Sequence, residues 1–208
     1  MKFVPFAIVA LVAVLGCGRF GRQANNTTDP RSASDQPSRA FTLAGKEWKT
    51  FELDHTDIMV DLPGPPSDKT PPPTKLPDGI QNIFSSMRVH AYDDKDFGSS
   101  YSQLEPTGKN KFDIKGLADT SMTAIKRQAP DLNYTLEIKS PTNAKYDGTF
   151  TRNGKSYQLK GCCIFQKTNP SRVWAVITVY PKDNADGRTA SQRIIESVAF
   201  KNSSEECK

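Results

Sequence analysis

The apolar positions of this 208-residue chain change period several times, and each period predicts an element. Phe3 to Leu15 is an almost unbroken apolar run interrupted only by Pro5. At about a dozen residues it fits a signal-peptide core and falls short of the roughly 20 that a spanning helix needs. Trp48 to Leu53 and Ile58 to Leu62 predict a short hairpin turning at Asp54-His55-Thr56, and Ile80 to Tyr92 predicts a long strand with Tyr101 to Leu104 as its partner. Asp113 to Gln128 predicts a helix: Ile114, Leu117, Ala118, Met122 and Ile125 recur at helical spacing, Asp113 supplies an N-cap, and Ala129-Pro130 stops it. Tyr134 to Lys139 follows as a strand. Tyr146 to Thr151 and Ser156 to Phe165 then form a hairpin about Asn153-Gly154, a pair that tolerates the positive φ of a tight turn. Val173 to Tyr180 predicts a central strand, Thr189 to Ser197 a short helix with Ile194 and Ile195 facing inward, and Val198 to Phe200 a closing strand. Hairpins joined by short turns imply an antiparallel sheet, and two amphipathic helices must cover its apolar faces. The fold class is therefore α+β.

Between these elements the polar stretches set the organisation. Gly18 to Ala40 is rich in Ser, Thr, Asn, Gly and Pro, has Phe20 as its only large apolar residue, and reads as a flexible tether. Gly64 to Gly79 is dense in proline, which admits neither helix nor central strand and reads as an extended surface loop. The division that follows is a leader over 1–16, a tether over 17–40, one domain over 41–201 and a flexible tail over 202–208.

Val14-Leu15-Gly16-Cys17 resembles the recognition pattern of the bacterial lipoprotein signal peptidase. The resemblance implies that Cys17 becomes the acylated first residue, its thiol carrying a diacylglycerol, with the mature protein held on a bacterial membrane at the periplasmic side or cell surface. Several acyl chains on one residue anchor stably where one chain does not. The alternative is an ordinary secretory leader cut nearby. In a eukaryotic secreted protein Asn25, Asn26, Asn133 and Asn202 would be glycan acceptors.

With Cys17 assigned to lipid, Cys162, Cys163 and Cys207 remain, an odd number in an oxidising compartment. Cys162 and Cys163 are neighbours on a predicted strand and must point to opposite faces. A bridge from Cys207 to either of them competes with a reading of two buried thiols and a tail thiol, because sequence leaves the Cα separation open.

The chain carries a net charge of +5, unevenly spread. Between Lys139 and Arg172 the bases Lys139, Lys145, Arg152, Lys155, Lys160, Lys167 and Arg172 meet only Asp147, while Glu52 to Asp61 and Asp93 to Glu105 are mainly acidic. Lys145, Arg152, Lys155, Lys160, Lys167 and Arg172 are the candidate contacts for an anionic lipid, envelope polymer or acidic partner. The alternative is a solvated sheet edge whose lysines discourage strand-to-strand aggregation. The expected location argues against nucleic acid as a partner.

Candidate chemistry is sparse. His55, with Asp57 and Asp61, and His90, before Asp93, Asp94 and Asp96, lack the ligand spacing of a zinc site. Asp93-Asp94-Lys95-Asp96 lacks the alternation and turn glycine of a calcium loop. Nucleophile-elbow, P-loop and dinucleotide-binding patterns are missing, so no catalytic residue, metal or cofactor is assigned.

Three segments together resemble the PsbP-type α/β/α sandwich: "IMVDLPGPP", the mid-chain helix followed by "YTLEI", and "RVWAVITVYP…RIIESVAF". That family contains the photosystem extrinsic PsbP proteins, DcrB-type bacterial lipoproteins and other exported bacterial proteins. The resemblance runs over Trp48 to Phe200 and departs at "IKSPTNAKYDG", where related bacterial sequences carry a Gly-rich turn. It implies a sheet sandwiched by helices and a binding or accessory role without an active site, and it transfers no functional residue. The expected function is thus a membrane-anchored, non-catalytic accessory domain of the cell envelope. The alternatives are a hydrolase-like enzyme with its groups on separate strands and a structural envelope protein contacting anionic polymer.

Overall fold

The computed structural model describes residues 40–72, 84–107, 113–166 and 171–207. In chain order its elements are β1 (Lys49–Glu52), β2 (Ile58–Leu62), β3 (Ser67–Asp68), β4 (Phe84–Asp94), β5 (Phe97–Pro106), α1 (Ile114–Gln128), β6 (Asn133–Ser140), β7 (Asn143–Arg152), β8 (Lys155–Gln166), β9 (Arg172–Pro181), α2 (Ala185–Ser197) and β10 (Ala199–Phe200). A seven-stranded sheet runs β3-β4-β5-β9-β8-β7-β6 and a three-stranded sheet runs β1-β2-β10, with every pairing antiparallel. The class is α+β, with two helices over an antiparallel sheet. The leader, Cys17, most of the tether, Asn25, Asn26, Lys167 and residues 80–83 of the expected long strand lie outside the described residues.

Each strand sends alternate side chains to opposite faces, and the large sheet buries both. On one face Met87, Val89, Leu104, Ala144, Tyr146, Cys163 and Ile177 pack with Leu117, Met122 and Ile125 of α1. On the other face Tyr101, Cys162, Ile164, Trp174 and Val176 pack with Ala190 and Ile194 of α2 and with Ile58, Val60 and Phe200 of the small sheet. Cys162 and Cys163 therefore belong to different cores. Gly161, just before them, is required by close approach: a Cβ there would lie 2.1 Å from the Val176 carbonyl oxygen and 2.5 Å from the Tyr146 ring.

The helix ends follow the capping rule, in which a side-chain oxygen accepts an otherwise unpaired first-turn N–H. Asp113 accepts from the Gly116 N–H at 2.7 Å, and Asn184 accepts from the Gly187 N–H at 2.6 Å. The latter cap starts α2 at Ala185, four residues before the predicted Thr189. Its first turn, Ala185-Asp186-Gly187-Arg188, carries no large apolar residue for periodicity to detect. Asn153 and Gly154 take φ of 50° and 74° in the β7–β8 turn, as the hairpin requires.

Three further segments differ from the sequence expectation. First, β5 extends to Phe97–Pro106 instead of Tyr101 to Leu104, and it lies between β4 and β9 with Ser99, Ser100 and Ser102 buried. Small hydroxyls fit where two layers press on a strand, and Tyr101 donates to Ser99 Oγ at 2.9 Å. Second, the proline-dense segment contributes β3, a two-residue edge strand paired with β4, compatible with the bar on proline in central strands. Third, the carboxyl-terminal tail, expected to be flexible, is docked. Cys207 is 1% exposed and joined to Cys162 by a disulfide with a Cα separation of 5.5 Å. Asn143 Nδ2 donates to the Glu206 carbonyl at 2.7 Å, and Thr142 Oγ1 donates to Glu205 Oε1 at 2.9 Å. The cross-link and these bonds offset the ordering entropy that composition alone leaves uncompensated.

Cys163 is free, and burial pushes its thiol up to about 12. Native protein treated with iodoacetamide at pH 8 is thus expected to yield linked Cys162 and Cys207 peptides, with Cys163 labelled only after denaturation. Closing a loop across 45 residues is worth about 4 kcal/mol. Urea titration with and without reductant should differ by roughly that amount, and equal midpoints would remove the bridge from the stability account.

Candidate functional site

Directly opposed residues in a ladder share a face, so register alone assembles a polar surface on β6, β7 and β8. Thr135 faces Asp147, and Glu137 faces Lys145. Lys145 in turn faces Cys162, and Asp147 faces Lys160. All lie on the α2 side of the sheet. Because α2 packs on β9 and β2, the polar half of that face stays open. Gln192, Ile195 and Glu196 of α2 form the opposite wall, and Cys207 closes one end. The result is a cleft of about 380 Å3.

Its charges are largely paired. Lys160 lies 3.3 Å from Asp147, which also accepts from Gln158 Nε2. Glu137 pairs with Lys139 at 2.6 Å, and Glu196 accepts from Gln192 Nε2. Lys145, half-buried between Glu137 and Cys162 in the ladder, forms no ion pair among the described residues. The cleft offers ammonium, carboxylate and amide groups on rigid strands and a helix, and its one sulfur is held in the disulfide. Such a set orients a polar ligand by charge and hydrogen bonding.

A second, larger cleft of about 700 Å3 lies at one end of the sheet beside Ala40. Its lining, from Ala40, Asp96, Gly154 to Ser156 and Pro181 to Asn184, comes mainly from turns and strand ends. Neither histidine lines either cleft. His55 sits exposed in the β1–β2 turn with φ 59°, and His90 is buried with Nε2 at 2.9 Å from the Asp54 carbonyl. No group of three or more His, Cys, Asp or Glu side chains converges on a metal-sized point among the described residues.

The structure separates the basic residues that the sequence groups together. Lys145 and Lys160 meet in the first cleft. Arg152 and Lys155 flank the β7–β8 turn, where Lys155 pairs with Asp96 at 3.3 Å. Arg172 begins β9 at the far end of the sheet and pairs with Asp57 at 2.8 Å and Glu105 at 3.8 Å. These residues sit on or between β7, β8 and β9, which are interior strands, so they guard no sheet edge. Sequence reading missed the residues that complete the cleft, Thr135, Glu137, Gln192 and Glu196. No local signal marks them, because cross-strand register and helix placement bring them together.

No protein-family model and no curated protein matches the sequence. Solved structures similar to this chain include LpqN of Mycobacterium tuberculosis, described as involved in cell envelope biogenesis, at 12% identity, covering 77% of this chain and 98% of that one with a TM-score of 0.39. The Ran-binding protein Mog1p of Saccharomyces cerevisiae matches at 12% identity over 74% of this chain and 96% of that one, TM-score 0.40. A Pseudomonas aeruginosa protein of unknown function, PA94, described as a putative regulator, matches at 13% identity over 70% and 91%, TM-score 0.34.

The pairing pattern predicts unequal mutational costs. Arg172→Ala leaves the partly buried Asp57 and Glu105 carboxylates uncompensated and should cost about 2–3 kcal/mol. Lys155→Ala, at an exposed pair, should cost below about 1 kcal/mol. Chemical denaturation of both variants checks the ranking.

Proposed function

We propose that the chain is a lipoprotein anchored through Cys17 outside the cytoplasm, where its folded domain serves the cell envelope as a non-catalytic binding or accessory module. The observation that carries this reading is the buried Cys162–Cys207 disulfide, which suits an oxidising compartment and agrees with an export leader ending in Gly16-Cys17. No helix among the described residues is long and apolar enough to cross a membrane. Attachment then falls to the acylated amino terminus, with the tether between Cys17 and Ala40 holding the domain off the bilayer. The binding site is the cleft between α2 and the β6–β8 face.

A second reading, contact with an anionic envelope polymer, is favoured by Lys145, which faces this cleft and forms no ion pair among the described residues, and by its neighbour Lys160. In that reading Lys145→Gln with Lys160→Gln detaches the protein from isolated envelope polymer and leaves its unfolding free energy within about 1 kcal/mol of the parent.

Labelled palmitate tests the anchor. The parent protein should incorporate it and fractionate with membranes, and Cys17→Ala should do neither. An unlabelled parent released into the medium refutes the proposal.

A further inference from the structure

The large sheet ends differently on its two sides. β3 is two residues long and stands among Pro65, Pro66, Pro71 and Pro72, residues that offer no N–H to an incoming strand. β6, at the other edge, is eight residues long with no proline or glycine and only Lys139 as a cation. Ile138 on β6 is 44% exposed, the one large hydrophobic so exposed among the described residues. Tyr134 and Leu136 share its face and are only partly covered by the α1-side core. A long edge that no described strand covers, with an apolar stripe and a single lysine, either aggregates or is paired.

We propose that β6 pairs antiparallel with β6 of a second copy, joining two seven-stranded sheets into one. Two-fold symmetry and face matching restrict the register, and bringing the exposed Ile138 into the pairing selects among the registers that remain. Opposed residues must share a face, so their numbers sum to an even value. Centring the axis on Glu137 would set two carboxylates against each other, a destabilising contact. Centring it on Leu136 sets Leu136 against Leu136, Tyr134 against Ile138 and Thr135 against Glu137 of the second copy. Asn133 then meets Lys139. The apolar stripe is buried and no like charges are opposed. The irregularity between Ile138 and Ser140 lies beyond the core of this pairing.

The strand is about 26 Å long. With side chains from both faces it buries on the order of 1,000 Å2 in total, at the lower limit for a specific interface. The expected product is a reversible dimer. It does not depend on the lipid anchor.

Cysteine cross-linking in the full chain, solubilised in detergent, tests the register, since Cys163 is buried and the other domain thiols are bridged. Under mild oxidation Leu136→Cys should give a disulfide-linked homodimer, and Thr135→Cys at least about tenfold less, because only the former lies on the two-fold axis. Ile138→Lys, at an already exposed position, should weaken dimerisation about tenfold by sedimentation with an unchanged unfolding midpoint. Equal cross-linking at both positions, cross-linking of Leu136→Cys to a different protein, or a parent chain that sediments as a monomer at about 100 µM would each overturn the proposal.

Discussion

Everything in this fold depends on a sheet that is buried on both faces. A strand cannot choose where its neighbouring side chains point, so once α1 covers one face and α2 with the small sheet covers the other, the apolar residues of β8 and β9 divide between two cores. β9 sits fourth of seven, and its central residues, Val173 to Tyr180, are buried throughout. The constraint leaves no freedom of register, since a slip by one residue would exchange the two cores. It also fixes Cys162 on the side where the chain returns after β10, within reach of Cys207.

Charge is arranged by the same geometry. The run from Lys139 to Arg172 looks like a basic patch because its acidic counterparts are distant in sequence, in Glu52 to Asp61 and Asp93 to Glu105. Folding brings Asp57 and Glu105 to Arg172 and Asp96 to Lys155, so two acidic segments close around the basic one. Around Arg172 these charges also join the sheets. Gln103 Oε1 accepts from Trp174 Nε1 at 2.9 Å and from the Asp57 N–H at 2.7 Å, tying the β1–β2 hairpin to β5 and β9. Removing one partner of this partly desolvated cluster leaves uncompensated charge, whereas the exposed Lys155 pair contributes little.

Fold class and element order were legible because they rest on local periods. Helix α1, the Asn153-Gly154 hairpin, the opposed faces of Cys162 and Cys163, and the central position of β9 all come from spacing two, spacing 3.6 or turn chemistry. Reading failed where burial used small or polar residues. Serines hid the start of β5, and a first turn without large apolar residues hid the start of α2. The docked tail was illegible for another reason: Ser203 to Glu206 has a disordered composition, and only Cys207, through one long-range covalent bond, reverses that expectation. The cleft was beyond reach entirely, since Glu137, Lys145, Lys160 and Gln192 are joined by register and helix placement.

The tail and the cleft belong to one construction. Cys207 lines the cleft while its sulfur sits in the core with Cys162, so the bridge that completes the hydrophobic face also forms one boundary of the polar one. Glu205 and Glu206, held by Thr142 and Asn143, fix the tail against the β6–β7 turn. Thr135 and Glu137 of β6 line this cleft, while Tyr134, Leu136 and Ile138 alternate to the opposite face. One strand therefore presents two faces, a polar wall and an apolar stripe, along an edge that no described strand covers. In the pairing proposed above Thr135 of one copy stands opposite Glu137 of the other, so a ligand in the cleft and a second copy at the edge would share these two side chains.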